Sequence, residues 1–199
     1  MFITFEGIEG SGKTTQLRRL AERWPDAIVT KEPGGTVVGD RVRAILLDSA
    51  STIEPVAEVF LFAASRRQLV TEIIRPALKV GRTVLCDRYA DATLAYQGFG
   101  RRIDLDRLRA LNDWATDSLQ PDVTLLFDLP EEAGVARARS RNAAQTHDEG
   151  RFEAEDLRFH RRIREGYLAL AVAEPNRFRV IDASGSADDV FERMMAVLS

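Results

Sequence analysis

Apolar positions in this chain follow two rhythms that take turns from end to end. Short apolar or β-branched runs stand at Phe2–Glu6, Ala27-Ile28-Val29-Thr30, Thr83-Val84-Leu85-Cys86, Val123-Thr124-Leu125-Leu126-Phe127 and Phe178-Arg179-Val180-Ile181. Their length and composition read as strands. Between them apolar residues recur at helical spacing over about 14–24, 39–48, 54–78, 90–97, 105–118, 131–141, 152–173 and 187–198. Pro25 stops the first helix. Pro55 suits the first turn of the third, and Pro76 is expected to bend it. Several strands are apolar on both faces. Strands of that kind alternating with helices predict an α/β fold, a five-stranded parallel sheet covered by helices on both faces. Ligands of such sheets bind beyond the carboxyl ends of the strands.

The polar residues after the strands carry the chemistry. After the first strand comes Gly7-Ile8-Glu9-Gly10-Ser11-Gly12-Lys13-Thr14, which fits the phosphate-binding pattern G-x-x-x-x-G-K-[ST] at every fixed position. It lies between a strand and a helix, as the pattern requires. Its glycines let the backbone curl so that successive N–H groups face an anion, and the helix start adds its own free N–H groups. Lys13 brings a charge to the β/γ-phosphates, and the Thr14 hydroxyl can ligate Mg²⁺. Further turn sequences follow other strands: Lys31-Glu32-Pro33-Gly34-Gly35-Thr36, Asp87-Arg88-Tyr89 and Asp182-Ala183-Ser184.

Composition narrows the classes. The chain has 199 residues, 45% of them hydrophobic, enough for one domain with a sizeable core. A net charge of −3 argues against a general nucleic-acid binder. The single cysteine, Cys86, closes an apolar run and reads as a buried thiol. No apolar run approaches a membrane span, and the first strand begins at Phe2, leaving no room for a signal peptide. A reducing cytoplasm is the expected location, with neither membrane nor nucleic acid as partner.

Asp87 and Asp128 each end an apolar strand, so each could hold Mg²⁺. Asp87 is favoured, because Arg88 beside it can grip a phosphate and keep the carboxylate ionised; Asp128 reads as an ordinary loop-starting residue. Arg43, Arg66, Arg88, Arg137, Arg139, Arg141 and Arg151 lie where guanidinium forks could meet phosphate oxygens, though most helical arginines are merely solvated. Phe62 and Arg66 share a helical face, either as a planar-base site or as a core phenylalanine beside a surface arginine. Thr93, Tyr96 and Gln97 share another. Asn142 to Gly150 holds no large apolar residue and reads as an exposed loop.

Taken together, Phe5-Glu6-Gly7 before the phosphate loop, Glu32-Pro33-Gly34-Gly35-Thr36, Phe62 with Arg66, Asp87-Arg88-Tyr89 and Ala95-Tyr96-Gln97-Gly98 resemble the thymidylate kinase (dTMP kinase) family over essentially the whole chain. The resemblance implies a P-loop NTPase fold, one kinase domain over 1–199 with a short lid at about 139–152, and a homodimer formed through helices. The implied reaction is ATP + dTMP → ADP + dTDP with Mg²⁺, a step in dTTP synthesis. ATP would lie against Gly7, Ile8, Glu9, Gly10, Ser11, Gly12, Lys13, Thr14 and Thr15, with Arg137, Asp182, Ala183 and Ser184 on the adenine side. The dTMP sugar hydroxyl would meet Glu9, and its phosphate Arg43 and Arg88. Phe62 would stack on thymine, Arg66 would bond its O4, and Thr93 and Gln97 would meet the base edge. Tyr96 would crowd a ribose 2′-hydroxyl, Glu32 and Pro33 would also line the dTMP site, and Pro33 resembles a cis proline. Asp87 and Thr14 would serve Mg²⁺. The phosphate loop carries no arginine, so the catalytic arginine would come from the lid, as Arg139, Arg141 or Arg151. Rival readings are another P-loop deoxynucleoside or nucleoside-monophosphate kinase, or a nucleotide-dependent switch. The Asn-Lys-x-Asp motif of guanine-reading switches is absent.

Overall fold

The computed structural model of the protein describes residues 1–142, 151–152 and 155–198, those at 141 and 142 in backbone only. Its strands β1 (Phe2–Glu6), β2 (Ile28–Lys31), β3 (Val84–Asp87), β4 (Val123–Asp128) and β5 (Phe178–Asp182) pair in parallel in the order β2-β3-β1-β4-β5. The chain leaves β1 toward one edge, and after β3 it crosses β1 to build the other half. The loop after β1 therefore sits where the strand order reverses, the place such sheets use for ligands.

Strand alternation divides the core between the two faces. Ile3, Phe5, Leu85, Leu125 and Phe127 pack on Leu17 and Leu20 of α1 (Lys13–Arg23) and on Phe191 and Met194 of α9 (Ala187–Leu198). On the opposite face, Phe2, Val84 and Cys86 meet Leu69, Val70 and Ile74. Leu126 meets Tyr96, Phe159, Ile163 and Tyr167 there. Cys86 is a buried free thiol. Strands β2 to β5 each run one residue beyond the apolar stretch. Parallel pairing continues through Phe5↔Asp87, Lys31↔Asp87 and Asp128↔Asp182 although those acidic side chains leave the core.

Caps set the helix starts. Thr36 accepts from Gly39 N–H at α2 (Val37–Leu47), and Glu54 accepts from Val56 and Ala57 at α3 (Pro55–Leu69). The helix expected to bend at Pro76 becomes π-helical over Val70–Ile74 before resuming as α4 (Arg75–Lys79). Proline has no N–H and crowds the preceding turn, and a wider turn absorbs both defects. After β3, α5 (Ala90–Thr93) runs into a second π-helical stretch, Leu94–Gly100. Then come α6 (Leu105–Thr116), α7 (Glu131–Asn142) and α8 (Leu157–Ala173). The start of α8 differs from the expected 152. The Asp156 carboxylate accepts from Phe159 N–H and fixes the first turn there, so Arg151 and Phe152 lie in a turn ahead of the helix. Most of the expected lid, residues 143–150, lies outside the described residues, as do 153–154.

Candidate active site

The loop Gly7–Gly12 curls at the carboxyl end of β1. Gly10 has φ 71° and lies so close to α7 that a Cβ would meet the Gly134 carbonyl oxygen at 2.1 Å, so no side chain fits. Gly12, at φ 85°, caps α1 without a side-chain hydrogen bond, which leaves the first N–H groups of the helix facing the loop. Lys13 is buried at 7% exposure, and its Nζ donates to Ile8 O at 3.3 Å. Burial, then the Arg88 charge, push the Lys13 ammonium down to about 8 against the pull of Asp87, Glu9 and Glu6. Such a cation is short of anionic company.

The Thr14 hydroxyl donates to Asp87 Oδ2 at 2.5 Å, bringing two oxygen ligands together beside the loop. Asp128 is instead clamped by Arg164 Nε at 2.7 Å and Nη2 at 3.0 Å. That clamp occupies Asp128 and leaves Asp87 as the candidate for a metal. No group of three or more acidic, histidine or cysteine side chains that could hold a metal occurs among the described residues. Magnesium needs no such cage: one or two protein oxygens with substrate phosphates and water suffice, and Thr14 with Asp87 fit that pattern.

Arg88 follows Asp87 in a left-handed conformation, φ 69°, which costs a non-glycine residue energy and recurs at functional sites. Its surroundings enforce it. Arg88 N–H donates to Phe5 O at 3.0 Å, and Nη1 donates to Gly7 O at 3.0 Å and to the Tyr167 hydroxyl at 3.2 Å. Nη2 pairs with Glu9 Oε1 at 2.9 Å, and the guanidinium lies 4.6 Å from the Tyr96 ring centre. Tyr96 OH donates to the same Glu9 oxygen at 2.6 Å. Burial works against the Glu9 carboxylate, yet the Arg88 and Lys13 charges and the Tyr96 hydroxyl hold its pKa well below the usual carboxylate range. Among described residues, Arg88 Nε and one Nη2 hydrogen have no hydrogen-bond partner, so the guanidinium can still donate to phosphate oxygens.

On the acceptor side the alternative of a core phenylalanine beside a surface arginine fails, because Arg66 is a core residue at 1% exposure and Phe62 is only half-buried. Four of the five Arg66 N–H groups are engaged: Nε with Glu32 Oε2 (2.7 Å), Nη1 with Asn112 Oδ1 (2.6 Å), Nη2 with Tyr89 O (3.2 Å) and Thr93 Oγ1 (3.0 Å). Helical spacing gives the face a side chain leaves from, not what crosses to meet it. Burial pushes Glu32 up to about 7 while Arg66 pulls the other way. The Glu32–Pro33 peptide is cis, as the resemblance implied, and Arg43 Nη1 donates to Pro33 O at 3.1 Å. Phe62 is half-buried, 6.2 Å from the Phe152 ring, which also stands edge-on to Tyr96 at 5.7 Å. Gln97 Nε2 donates at 2.8 Å to Glu58, a wholly buried carboxylate that Arg101 and Arg151 also engage.

On the far side of the loop, Arg137 Nη1 donates to Ala183 O at 3.3 Å, which joins α7 to the end of β5. Asp182 accepts from Ser184 N–H at 2.9 Å. Thr15 and Arg139 are exposed, on α1 and α7. The side chain of Arg141 lies outside the described residues.

The family model for thymidylate kinase matches residues 5–194. The chain is 54% identical over 202 positions to a thymidylate kinase of Nitratidesulfovibrio vulgaris, covering 98% of this chain and 94% of that one. It is 50% identical over 204 positions to one of Syntrophotalea carbinolica, covering 100% and 94%. The chain belongs to the thymidylate kinase family. The crystal structure of a thymidylate kinase from Ehrlichia chaffeensis superposes with a TM-score of 0.80 at 35% identity, covering 100% of this chain and 98% of that one. The five-stranded parallel sheet with helices on both faces is therefore the P-loop NTPase fold of that family.

Sequence reasoning missed several residues that build the site. Glu6, fully buried in β1, accepts from Tyr89 N–H at 2.7 Å and from the Tyr167 hydroxyl at 2.7 Å, so it braces the turn that presents Arg88. Burial and the nearby Asp91 push Glu6 up to about 8 against Arg88 and its two donors. Its place in Phe5-Glu6-Gly7 was the available signal, since a charge inside an apolar strand needs a reason. Glu58, Asn112, Phe152, His160 and Tyr167 gave no comparable signal.

Proposed function

We propose that the chain transfers the γ-phosphoryl group of ATP to dTMP, giving ADP and dTDP, as one kinase domain over residues 1–199. Family membership makes it a phosphotransferase. The observation that carries the finer reading is the meeting of Lys13, the Thr14–Asp87 pair and the Arg88–Glu9 pair around the end of β1. The loop N–H groups and Lys13 hold the β/γ-phosphates. Thr14 and Asp87 would hold Mg²⁺, which when bound neutralises charge between those phosphates. The Arg88 guanidinium takes the acceptor phosphate, with Arg43 nearby, and Glu9 takes the acceptor sugar hydroxyl. The attacking phosphate oxygen is already ionised at neutral pH, so no strong base is required and positioning carries the rate. Arg137 with Asp182, Ala183 and Ser184 flanks the adenine. Phe62 lies under the base, and Thr93, Tyr96 and Gln97 meet its edge and sugar.

Base choice tests this reading. One Arg66 N–H remains open among described residues and donates to thymine O4. Cytosine offers an amino group there, donor against donor, and leaves a buried group unpaired. ADP release measured with dTMP, dUMP, dCMP, dGMP and AMP is expected to favour dTMP, with dCMP poor. Equal turnover of dTMP and dCMP rejects the base assignment, and ATP hydrolysis without any acceptor favours the switch reading.

Lys13 adds a pH test of the donor site. A triphosphate beside its ammonium raises a pKa that now stands at about 8. At pH 8, ATP binding is expected to take up about half a proton, and almost none at pH 6, where Lys13 is already charged. Calorimetry in two buffers of different ionisation enthalpy measures this, with Lys13→Ala as control. No buffer dependence at pH 8 would separate Lys13 from the triphosphate.

A homodimer is part of the proposal. Ile45 of α2, Val56 and Phe60 of α3 and Trp114 of α6 are exposed apolar residues on neighbouring helices, as a helical interface needs. Monomeric sedimentation of the intact chain would reject it. No helix of the described residues is long and apolar enough to cross a membrane. The buried single thiol and the nucleotide substrates fit a cytoplasmic location.

A further inference from the structure

Glu9 meets an unexplained neighbour. Its Oε1 already accepts two hydrogen bonds, from Arg88 Nη2 at 2.9 Å and from Tyr96 OH at 2.6 Å. A carboxylate oxygen has two lone pairs, so Oε1 is full. Oε2 is buried and has no hydrogen-bond partner. Opposite it, at 3.6 Å, stands Nδ1 of His160 on α8, a ring with no exposed surface. Neither ring nitrogen of His160 has a hydrogen-bond partner. The separation is too long for a hydrogen bond. Two buried polar atoms, Glu9 Oε2 and His160 Nδ1, thus face one another unpaired, and the other nitrogen of the ring is unpaired as well. Native structures keep few such groups, and each calls for a reason.

His160 also has little freedom to go elsewhere. It sits in the first turns of α8, whose start Asp156 fixes, and its ring lies edge-on to Phe159 at 5.7 Å. Phe159 in turn packs on Tyr96, the residue that bonds the other Glu9 oxygen. The same aromatic cluster therefore holds both sides of the carboxylate.

We propose that His160 is the positioning residue for Glu9: its Nδ1–H closes onto Oε2 as the acceptor's sugar hydroxyl takes the second lone pair of that oxygen. The inference rests on Glu9 reading the 3′-hydroxyl. Lone-pair counting supports it. A hydroxyl donor cannot use the full Oε1 and must come to Oε2. An Oε2 bonded to the hydroxyl alone would be free to swing about the last side-chain torsion, and the imidazole N–H fixes it. The ring then needs a hydrogen at Nδ1, the tautomer set by the carboxylate it faces.

Two acceptors separate this role from packing. dTMP carries the 3′-hydroxyl, and 3′-deoxy-dTMP lacks it. His160→Leu is expected to raise KM for dTMP about tenfold, the scale of one hydrogen bond to a charged group. Its kcat, its KM for ATP and its KM for 3′-deoxy-dTMP are expected to change less than threefold, so the preference for the hydroxyl collapses. His160→Asn, which can place an N–H near Nδ1, restores most of that preference, and His160→Gln, whose amide reaches toward Nε2, does not. Equal losses for both acceptors, or rescue by Gln as good as by Asn, would make His160 a packing residue and overturn the proposal. Glu9→Ala keeps the two layers distinct. If it retains the hydroxyl preference, the reading of Glu9 falls and the inference with it; if it loses the preference while His160→Leu keeps it, only the inference falls. Should the leucine variant not fold, the wild-type protein gives a direct readout. It has two histidines, so imidazole ¹⁵N resonances are readily assigned. Adding dTMP, but not 3′-deoxy-dTMP, is expected to bring out the Nδ1–H tautomer of His160. A ring spectrum indifferent to the acceptor would overturn the proposal.

Discussion

Replacing Lys13 with alanine is expected to lower kcat by about 10²–10³-fold, the usual loss when one preorganised charge is removed from a developing negative centre. The melting temperature is expected to hold within a few degrees, because the ammonium contributes little to the ligand-free fold. Lys13 is buried and, among the described residues, its ammonium makes one long hydrogen bond, to Ile8 O at 3.3 Å, and burial with the Arg88 charge already disfavours its charged form. Removing the charge relieves that cost, while the lost aliphatic stem gives some packing back. The two effects oppose each other in stability, and only the chemistry loses outright. Turnover measured by ADP release, beside calorimetric melting, separates them. Near-wild-type turnover removes the phosphate loop from the mechanism. A collapse of the melting transition would instead make Lys13 a structural residue, contrary to its strained electrostatics.

The same residue shows why so much of this site was legible in the sequence. Lys13, Thr14 and the loop glycines act mainly through the backbone next to them, and a strand before and a helix after are local patterns. Asp87 and Arg88 were legible because a parallel sheet brings every strand end to one edge. The sequence favoured Asp87 over Asp128 through the adjacent Arg88; the distant partner that occupies Asp128, Arg164, shows only in the structure. Where a role depends on a partner far along the chain, periodicity is silent. Arg66 has helical spacing compatible with a surface fork, yet Glu32 and Asn112 arrive from other elements to bury it. Glu6, Glu58 and His160 are ordinary polar residues until the sheet and α8 enclose them. The late start of α8 has a similar cause. Phe152 fits the helical rhythm and is buried, but it reaches the core from a turn, and the Asp156 cap outranks the spacing.

One of the arginines on α7 is expected to be the residue whose loss costs most after Lys13. Phosphoryl transfer spreads negative charge over the γ-oxygens, and a second cation besides the loop lysine usually meets it. Glu9 and Ser11 cannot supply one from the loop, and Arg88 is already tied to Glu9, Gly7 and Tyr167. Arg151 is held by a different set of contacts. Nε donates to Leu46 O at 2.6 Å, Nη2 bonds Glu58, and the guanidinium lies 4.6 Å from the Phe152 ring centre. Glu58 has no exposed surface. Drawing Arg151 away to a phosphate would leave that carboxylate with Arg101 and Gln97, and breaking a buried pair typically costs about 3–5 kcal/mol. Arg139 has no such buried partner among the described residues. It is exposed on the helix whose Gly134 packs on the phosphate loop, about 7–8 Å further along the axis. Arg137, two residues before it, already reaches the end of β5. Single replacement by alanine of Arg139, Arg141 and Arg151 is therefore expected to separate two behaviours. Either Arg139→Ala or Arg141→Ala should lose about 10²–10⁴-fold in kcat with a much smaller change in KM, since the contact forms mainly in the transition state. Arg151→Ala should keep kcat within about tenfold but melt earlier and raise KM for dTMP, because Glu58 then loses a partner and Gln97 its firm anchor. A large kcat loss in Arg151→Ala alone would reverse the assignment. If all three variants keep kcat within a few-fold, no arginine from this segment is catalytic, and Arg137 or Arg88 must meet the charge instead.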